Sequence, residues 1–283
     1  MITGTTKLIC FFADPAEHSG SPAMHNAAFE AAGLDYVYLA FRVGKENIGR
    51  AADAMRTLGI RGANVSMPNK QEIIKYLDAV SDRAELLGAV NTVVNDGGVL
   101  TGYNTDVDGV KDAAEIIGFP LAGRRVVQLG LGGAGRASLL ACAEAEAAHV
   151  SVFVRGRRLD EHAEFAGKIK ENTGLECEVI DIADKKRLAD ELSQGDVLLN
   201  MTDVGMGPKE GQPPLPRGIE LDPRISVMDA IYKPDETELI RQAKQAGVRA
   251  AANGRAMLAC QGARSFRLFT GRDMPESVFR SLF

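Results

Sequence analysis

Short apolar runs alternate with segments of helical period along almost the whole chain. Residues 7–12 (KLICFF) have the length of a buried strand, and residues 36–43 (YVYLAFRV) have the aromatic and β-branched character of another. Between them, Ser21-Pro22 predicts a helix start, with serine as N-cap and proline at the first helical position; Gly33 closes that helix about three turns later. Residues 48–58 read as a helix stopped by Gly59, 63–66 as a short strand broken by Pro68, and 71–77 as helical. Residues 91–94 and 99–102 flank Asn95-Asp96-Gly97-Gly98, a hairpin turn.

From Val107 onward the alternation is more regular. A helix ends near Gly118, a strand covers 125–129, and a helix runs over about 133–147. Strand 150–154, helix 161–173, strand 176–180 and helix 185–192 follow. Then come strands 197–200 and 225–229, helix 237–246 and a short strand near 248–251. Such alternation needs crossover helices and therefore a mostly parallel sheet. The Gly/Pro-rich residues 205–216 read as a surface loop, and 257–283 as a helical region that packs back on the first half.

Composition adds exclusions. With 283 residues, 45% hydrophobic and 25% charged, the chain is an ordinary globular sequence of about two domains. A net charge of −5 lacks the basic excess that a phosphate-tracking surface needs, so no nucleic-acid partner is expected. No window approaches the ~18 apolar residues of a membrane span, and the first ten residues do not follow the plan of a signal peptide. Cys10, Cys142, Cys177 and Cys260 are widely spaced, which predicts free thiols in a cytoplasmic protein and no metal site.

The first chemical signal is the run from 125–129 (RVVQL) into Gly130-Leu131-Gly132-Gly133-Ala134-Gly135 and a helix. This is G-x-G-x-x-G in a strand–turn–helix setting, the layout of a dinucleotide pyrophosphate site. Alone the pattern is weak, since 30 glycines produce chance spacings. At the end of the second strand an NAD site usually carries an acid for the ribose hydroxyls. Here Arg155-Gly156-Arg157-Arg158 follows, and a guanidinium suits a 2′-phosphate. NADP is favoured, with NAD as the alternative and a solvated basic loop as the bland explanation.

The second signal is a set of small polar clusters at predicted element ends. His18-Ser19-Gly20-Ser21-Pro22 places two hydroxyls at a helix start, and residues 64–70 (NVSMPNK) put Lys70 just past a strand. Asn91-Thr92 opens another strand, and Asn104-Thr105-Asp106 lies at the junction of the halves. Each also has a structural explanation: Ser21 as helix cap, Lys70 as a solvated helix residue, Asn104-Thr105-Asp106 as the cap of the next helix. Together they could line one cleft beyond the strand ends.

The arrangement of these residues resembles the shikimate dehydrogenase family. HSGSPAMHN (18–26) is similar to its HSxSPxxHN signature, and GANVSMPNK (62–70) to its G-x-N-V-T/S-x-P-x-K segment. LGAVNT (87–92), GYNTD (102–106), GLGGAG (130–135), MDAIYKPDETELIRQAKQAG (228–247) and NGRAMLACQGARSF (253–266) resemble further family segments in the family's order. YLAF and SMPNKQ lean towards its quinate/shikimate dehydrogenase branch.

The resemblance implies an α/β fold of two domains. A Rossmann-type doubly wound parallel sheet would form an NAD(P)-binding domain over 107–253. An α/β substrate domain would cover 1–106, with 254–283 packing back on it. It implies a role in aromatic amino acid biosynthesis, the chorismate pathway. The reaction would be hydride transfer between NAD(P)(H) and shikimate/3-dehydroshikimate or quinate/3-dehydroquinate, by a monomer or homodimer. The alternatives are a family member acting on another cyclohexene polyol acid and a catalytically silent dinucleotide-binding sensor.

By the same resemblance Lys70 and Asp106 form the catalytic pair, and Ser19 and Ser21 bind the substrate carboxylate. Ser66, Asn91, Asp106 and Gln261 hold ring hydroxyls, with Tyr232 near substrate and nicotinamide. Gly130, Gly132, Gly133, Ala134, Gly135 and Arg155 hold the cofactor. The chain departs from the family pattern at Ala13, at Val154-Arg155-Gly156 and at Asp108. It departs again at Gly254-Arg255-Ala256, where Arg255 puts a cation near the expected substrate region.

Overall fold

The structure is a computed structural model that describes residues 2–17 and 19–282. His18, which opens the first polar cluster, lies outside the described residues. The chain divides into two compact units, Met1–Asp106 with Ala259–Phe283, and Val107–Leu258.

The first unit begins with β1 (Lys7–Ala13), α1 (Ser21–Ala31), β2 (Tyr36–Arg42), α2 (Ile48–Thr57) and β3 (Gly62–Val65). It continues through β4 (Ala79–Val80), α3 (Asp82–Leu87), β5 (Thr92–Asp96) and β6 (Val99–Tyr103). The six strands form one sheet in the order β2-β1-β3-β5-β6-β4. Its β1–β2 and β1–β3 pairs are parallel, while β3–β5 and β5–β6 are antiparallel. The hairpin turns at Gly97-Gly98, both at positive φ (64° and 99°), which suits a two-residue turn between twisted strands.

Period-2 alternation along β1 supplies two cores. Cys10 and Phe12 pack with Ile48, Ala52 and Met55 of α2, while Ile9 packs with Met24 and Phe29 of α1. Two elements had no clear sequence signal: β4 is two residues long, and α3 is a six-residue helix between polar turns. Residues 71–77, expected to be helical, form a short 3-10 turn at Glu72–Tyr76.

The second unit runs α4 (Asp106–Ile117), β7 (Arg125–Leu129), α5 (Gly133–Glu144), β8 (His149–Val154), α6 (Leu159–Thr173), β9 (Cys177–Asp181) and α7 (Lys185–Gln194). It ends with β10 (Val197–Asn200), β11 (Ser226–Asp229), α8 (Glu238–Ala246) and β12 (Ala250–Ala252). The sheet order is β12-β11-β10-β7-β8-β9, and every pairing is parallel. This is the doubly wound arrangement expected from the alternation, with the reversal of strand order between β7 and β10.

The C-terminal segment holds α9 (Arg255–Thr270) and α10 (Glu276–Arg280), separated at Gly271 (φ 72°) and Pro275. Phe266 and Phe269 of α9 join the first unit's core beside Ile9, Phe29 and Tyr38.

Candidate active site

In the first unit, Lys70 and Asp106 meet. Lys70 Nζ donates to Asp106 Oδ2 at 2.6 Å, with side-chain exposures of 20% and 9%. Lys70 therefore stands neither in a helix nor free in solvent, contrary to its bland explanation. The turn carrying it is pinned by Asn69, wholly buried, whose side chain donates to the Val43 carbonyl at 2.7 Å. Asp106 receives a second donor, Asn91 Nδ2, at 2.8 Å. A charge-assisted pair with a further neutral donor keeps a nearly buried carboxylate satisfied.

The orientation of the Asn91 amide follows from its other partners. Its Oδ1 accepts the Thr105 backbone N–H at 2.9 Å, so its NH2 group faces Asp106. Asn104 does serve the next helix, as its side chain accepts the Asp106 backbone N–H at 3.0 Å. Asp106 thus starts α4 while its own carboxylate turns to Lys70.

Ser19 and Ser21 are adjacent, with the Ser21 N–H donating to Ser19 Oγ at 3.2 Å. Ser21 is not the helix cap that the sequence suggested. The N-cap is Gly20, without a side-chain cap bond, and Ser21 is the first helical residue with Pro22 behind it. Its hydroxyl is instead turned to Tyr38, whose phenol is pushed well above its ordinary pKa by burial, an effect that the Ser21 hydrogen bond opposes. Ser66 is half-buried after β3, with its backbone N–H on the Phe12 carbonyl at 2.9 Å. Gln261 lies half-buried on α9.

A buried polar web lies beside this pair and joins Asn64 and Thr92 of the polar clusters to Tyr38 and Ser265. Asn64 Nδ2 donates to Thr92 Oγ1 and to Ser265 Oγ, both at 3.0 Å, and Asn64 Oδ1 accepts from the Tyr38 hydroxyl at 2.8 Å. The available signal was a polar residue among apolar strand positions, at Asn64 in the fully buried β3 and Thr92 at the buried start of β5.

In the second unit, the glycine loop leaves β7 at the point where strand order reverses. Two of its glycines are required by the fold. Gly130 has φ 88°, and Gly135 packs so closely that a Cβ would stand 2.3 Å from the Gly130 carbonyl oxygen. Gly132, the N-cap of α5, is different: it has φ −75°, and a Cβ there would meet nothing within 4 Å. Protein packing does not demand a glycine at 132, which leaves room for a group from outside.

Gln128, wholly buried, donates to both the Gly130 and Gly135 carbonyls at 2.9 Å and holds the loop from within. No side chain caps α5, so the amides of Gly133, Ala134 and Gly135 are presented at a positive helix end. These features fit a pyrophosphate.

Arg155 is exposed directly after β8. Nearby, Glu161 pairs with Arg158 and accepts from Arg136 at 3.1 Å. Those contacts hold the Glu161 carboxyl below its ordinary pKa, the Arg158 hydrogen bond contributing most. Across the sheet, Asp229 is buried with no cation paired to it among the described residues. It is held by Asn200 Nδ2 (3.0 Å), the Ile231 N–H (3.0 Å) and the Thr237 hydroxyl (2.7 Å), while burial raises its pKa. Those bonds fix both ends of the loop that carries half-buried Tyr232. Arg255 is engaged by Asp235 Oδ1 at 2.5 Å, so its guanidinium is paired within its own unit.

A doubly wound sheet with an uncapped glycine loop at its switch point, joined in one chain to a unit bearing a lysine–carboxylate pair, defines a two-unit NAD(P)-dependent oxidoreductase. Residues 11–93 match the shikimate dehydrogenase substrate binding domain and residues 254–282 the shikimate 5'-dehydrogenase C-terminal domain. A shikimate dehydrogenase (NADP(+)) of Listeria monocytogenes is 42% identical over 99% of this chain and 97% of its own. A quinate/shikimate dehydrogenase of Escherichia coli is 40% identical over 97% of this chain and 95% of its own. The crystal structure of a Listeria monocytogenes shikimate 5-dehydrogenase with shikimate and NAD superposes with a TM-score of 0.92 at 42% identity, covering 100% of this chain and 98% of that one. The chain belongs to the shikimate dehydrogenase family.

Proposed function

We propose that this protein interconverts 3-dehydroshikimate and shikimate with NADP(H) in the cytoplasm, as a monomer or homodimer. Quinate/3-dehydroquinate is a second substrate pair and NAD a second cofactor. The observation that carries this reading is the Lys70–Asp106 pair, a half-buried ammonium held at 2.6 Å by a nearly buried carboxylate. A pure binding module has no need of it. The four cysteines are free thiols, and no helix among the described residues is long and apolar enough to cross a membrane, both in keeping with a cytoplasmic setting.

In this reading the first unit binds the ring acid and the second binds the dinucleotide. Ser19 offers a hydroxyl donor to the carboxylate and Ser21 a second once it turns from Tyr38, and Ser66, Asn91, Asp106 and Gln261 hold ring hydroxyls. Tyr232 faces substrate and nicotinamide. The loop from Gly130 through Gly132, Gly133, Ala134 and Gly135 cradles the pyrophosphate, and Arg155 meets the 2′-phosphate. The dinucleotide, when bound, supplies or accepts the hydride. Lys70 manages the proton: its Nζ gives one to the carbonyl oxygen as the ketone is reduced and takes one from the hydroxyl in the reverse direction. Asp106 keeps the ammonium in place.

Arg255 was the residue favouring a different polyol acid, and its ion pair with Asp235 speaks against that role. The test is reduced-nicotinamide absorbance with shikimate or quinate, each with NADP⁺ or NAD⁺. Turnover of shikimate with NADP⁺ is expected. Tight dinucleotide binding without turnover of either acid would identify a silent sensor.

A further inference from the structure

Ser265 lies on α9, far along the chain from every residue of the lysine–carboxylate pair, yet it is wholly buried among the site's polar side chains. Its Oγ accepts from Asn64 Nδ2 at 3.0 Å and stands 2.9 Å from Thr92 Oγ1 and 3.1 Å from Thr105 Oγ1. It is also 3.1 Å from the Gln261 carbonyl, one turn earlier on the same helix. One hydroxyl thus joins α9 to three segments of the sheet: the polar position of β3, the start of β5, and the junction before α4.

Two of those partners converge on Asn91. The Thr92 hydroxyl donates to Asn91 Oδ1 at 3.0 Å, and the Thr105 hydroxyl accepts from Asn91 Nδ2 at 3.0 Å. Asn91 Nδ2 then donates to Asp106 Oδ1, whose other oxygen holds Lys70. The amide is gripped on its oxygen side by Thr92 and the Thr105 N–H, and on its nitrogen side by Thr105 and Asp106. Rotating it would set a carbonyl oxygen against the Asp106 carboxylate and an NH2 group against the Thr105 N–H, two repulsive contacts in a buried site.

We propose that Ser265 is a positioning residue for the hydride-transfer reaction: it locks the two threonine hydroxyls that fix the Asn91 amide, and through Asn91 the Asp106 carboxylate that holds Lys70. The inference rests on the proposed role of the Lys70–Asp106 pair. A hydroxyl at 265 is an active element of the site and not helix filling. Its loss takes one anchor from each of the Thr92 and Thr105 hydroxyls, though Asn64 still holds Thr92, and the carboxylate loses its set direction while keeping both direct partners.

The test compares Ser265→Ala with Ser265→Cys. Cysteine refills the volume but is a poor hydrogen-bond group. Both variants should lose about tenfold in kcat, a fraction of the 10²-fold that a full 1 Å misplacement costs. The KM for NADP should be unchanged. In an Asn91→Ala background, Ser265→Ala should cost less than about twofold more, because its route to Asp106 is already cut. Recovery of kcat in Ser265→Cys, or equal losses with and without Asn91, would reduce the serine to a packing role and overturn the proposal.

A second readout needs no turnover. The Asn91 side-chain NH2 pair, assigned in ¹⁵N NMR by its disappearance in Asn91→Ala, should shift and exchange faster in both Ser265 variants. Unchanged Asn91 signals would overturn the proposal. Absence of turnover in the unmodified protein would instead count against the proposed function.

Discussion

A lysine and an aspartate at 2.6 Å, nearly out of water, behave as a unit. Removing one partner leaves the other as an uncompensated charge, so variants at this pair need a binding control. Lys70→Ala should lose kcat by about 10²–10⁴-fold, the usual cost of a missing general acid–base, while dinucleotide affinity measured by fluorescence titration stays unchanged. A kcat within a few-fold of the parent would return Lys70 to a structural role. Arg155 is a contrasting residue, exposed and placed where an NAD site would carry an acid. Arg155→Ala should weaken NADP relative to NAD by about 1.5–3 kcal/mol, the range for a lost hydrogen bond to a charged group. Equal loss for both dinucleotides would show that Arg155 does not meet the 2′-phosphate. Lys70 and Arg155 were both recognisable in the sequence because each follows a strand end. Ser265 was not, since nothing within a few residues of it on α9 signals the strands that it touches.

At the level of elements, the β7–loop–α5 unit separates glycines needed by the fold from one that the fold leaves open. Gly130 and Gly135 are locked by backbone conformation and by close packing, whereas Gly132 has ordinary φ and empty space around its missing Cβ. Gly132→Val should therefore fold, losing about 1 kcal/mol at most as a poorer N-cap, and should bind neither dinucleotide. Calorimetry would decide it: retained affinity would move the pyrophosphate elsewhere. This unit was legible because strand, turn and helix are contiguous in sequence and the turn chemistry is local. The start of α1 was misread for an equally local reason. Ser21-Pro22 looks like a cap followed by the first helical residue, but the helix begins one residue earlier because Gly20 takes the flanking position and Ser19 takes the Ser21 amide.

For the molecule as a whole, one buried group ties stability to pH. His25 is wholly buried, stacked on Tyr38 at 4.6 Å between ring centroids, with Phe29, Phe266 and Phe269 around it. Neither ring nitrogen meets a hydrogen-bond partner among the described residues, and burial pushes its pKa from 6.5 down to about 3. The folded chain therefore keeps His25 neutral where the unfolded chain takes up a proton. Its contribution to stability is complete above pH 6.5 and is lost as the pH falls towards 3, by about 1.4 kcal/mol per pH unit. In urea titrations, His25→Phe should remove about 2.3 kcal/mol of the stability difference between pH 6.5 and 4.5. An unchanged difference would mean that other groups carry the acid sensitivity.

The order of strands and helices, the parallel doubly wound sheet of the second unit and the position of the glycine loop were determined by the sequence alone. Their signals are periodicities and turns spanning fewer than about 20 residues. Pairing across long separations was decided by the tertiary structure. The hairpin β5–β6 is local, but its attachment to β3, the two-residue β4 and the burial of α9 against β1 depend on which apolar faces find each other. The hydrogen-bond web from Tyr38 through Asn64 and Ser265 to Asn91 belongs to that second class. Tyr38 reads in sequence as an aromatic strand residue, and the other members as ordinary small polar residues. Only the closed core, by removing water from all of them at once, forces them to satisfy one another and so to aim the Asp106 carboxylate at Lys70.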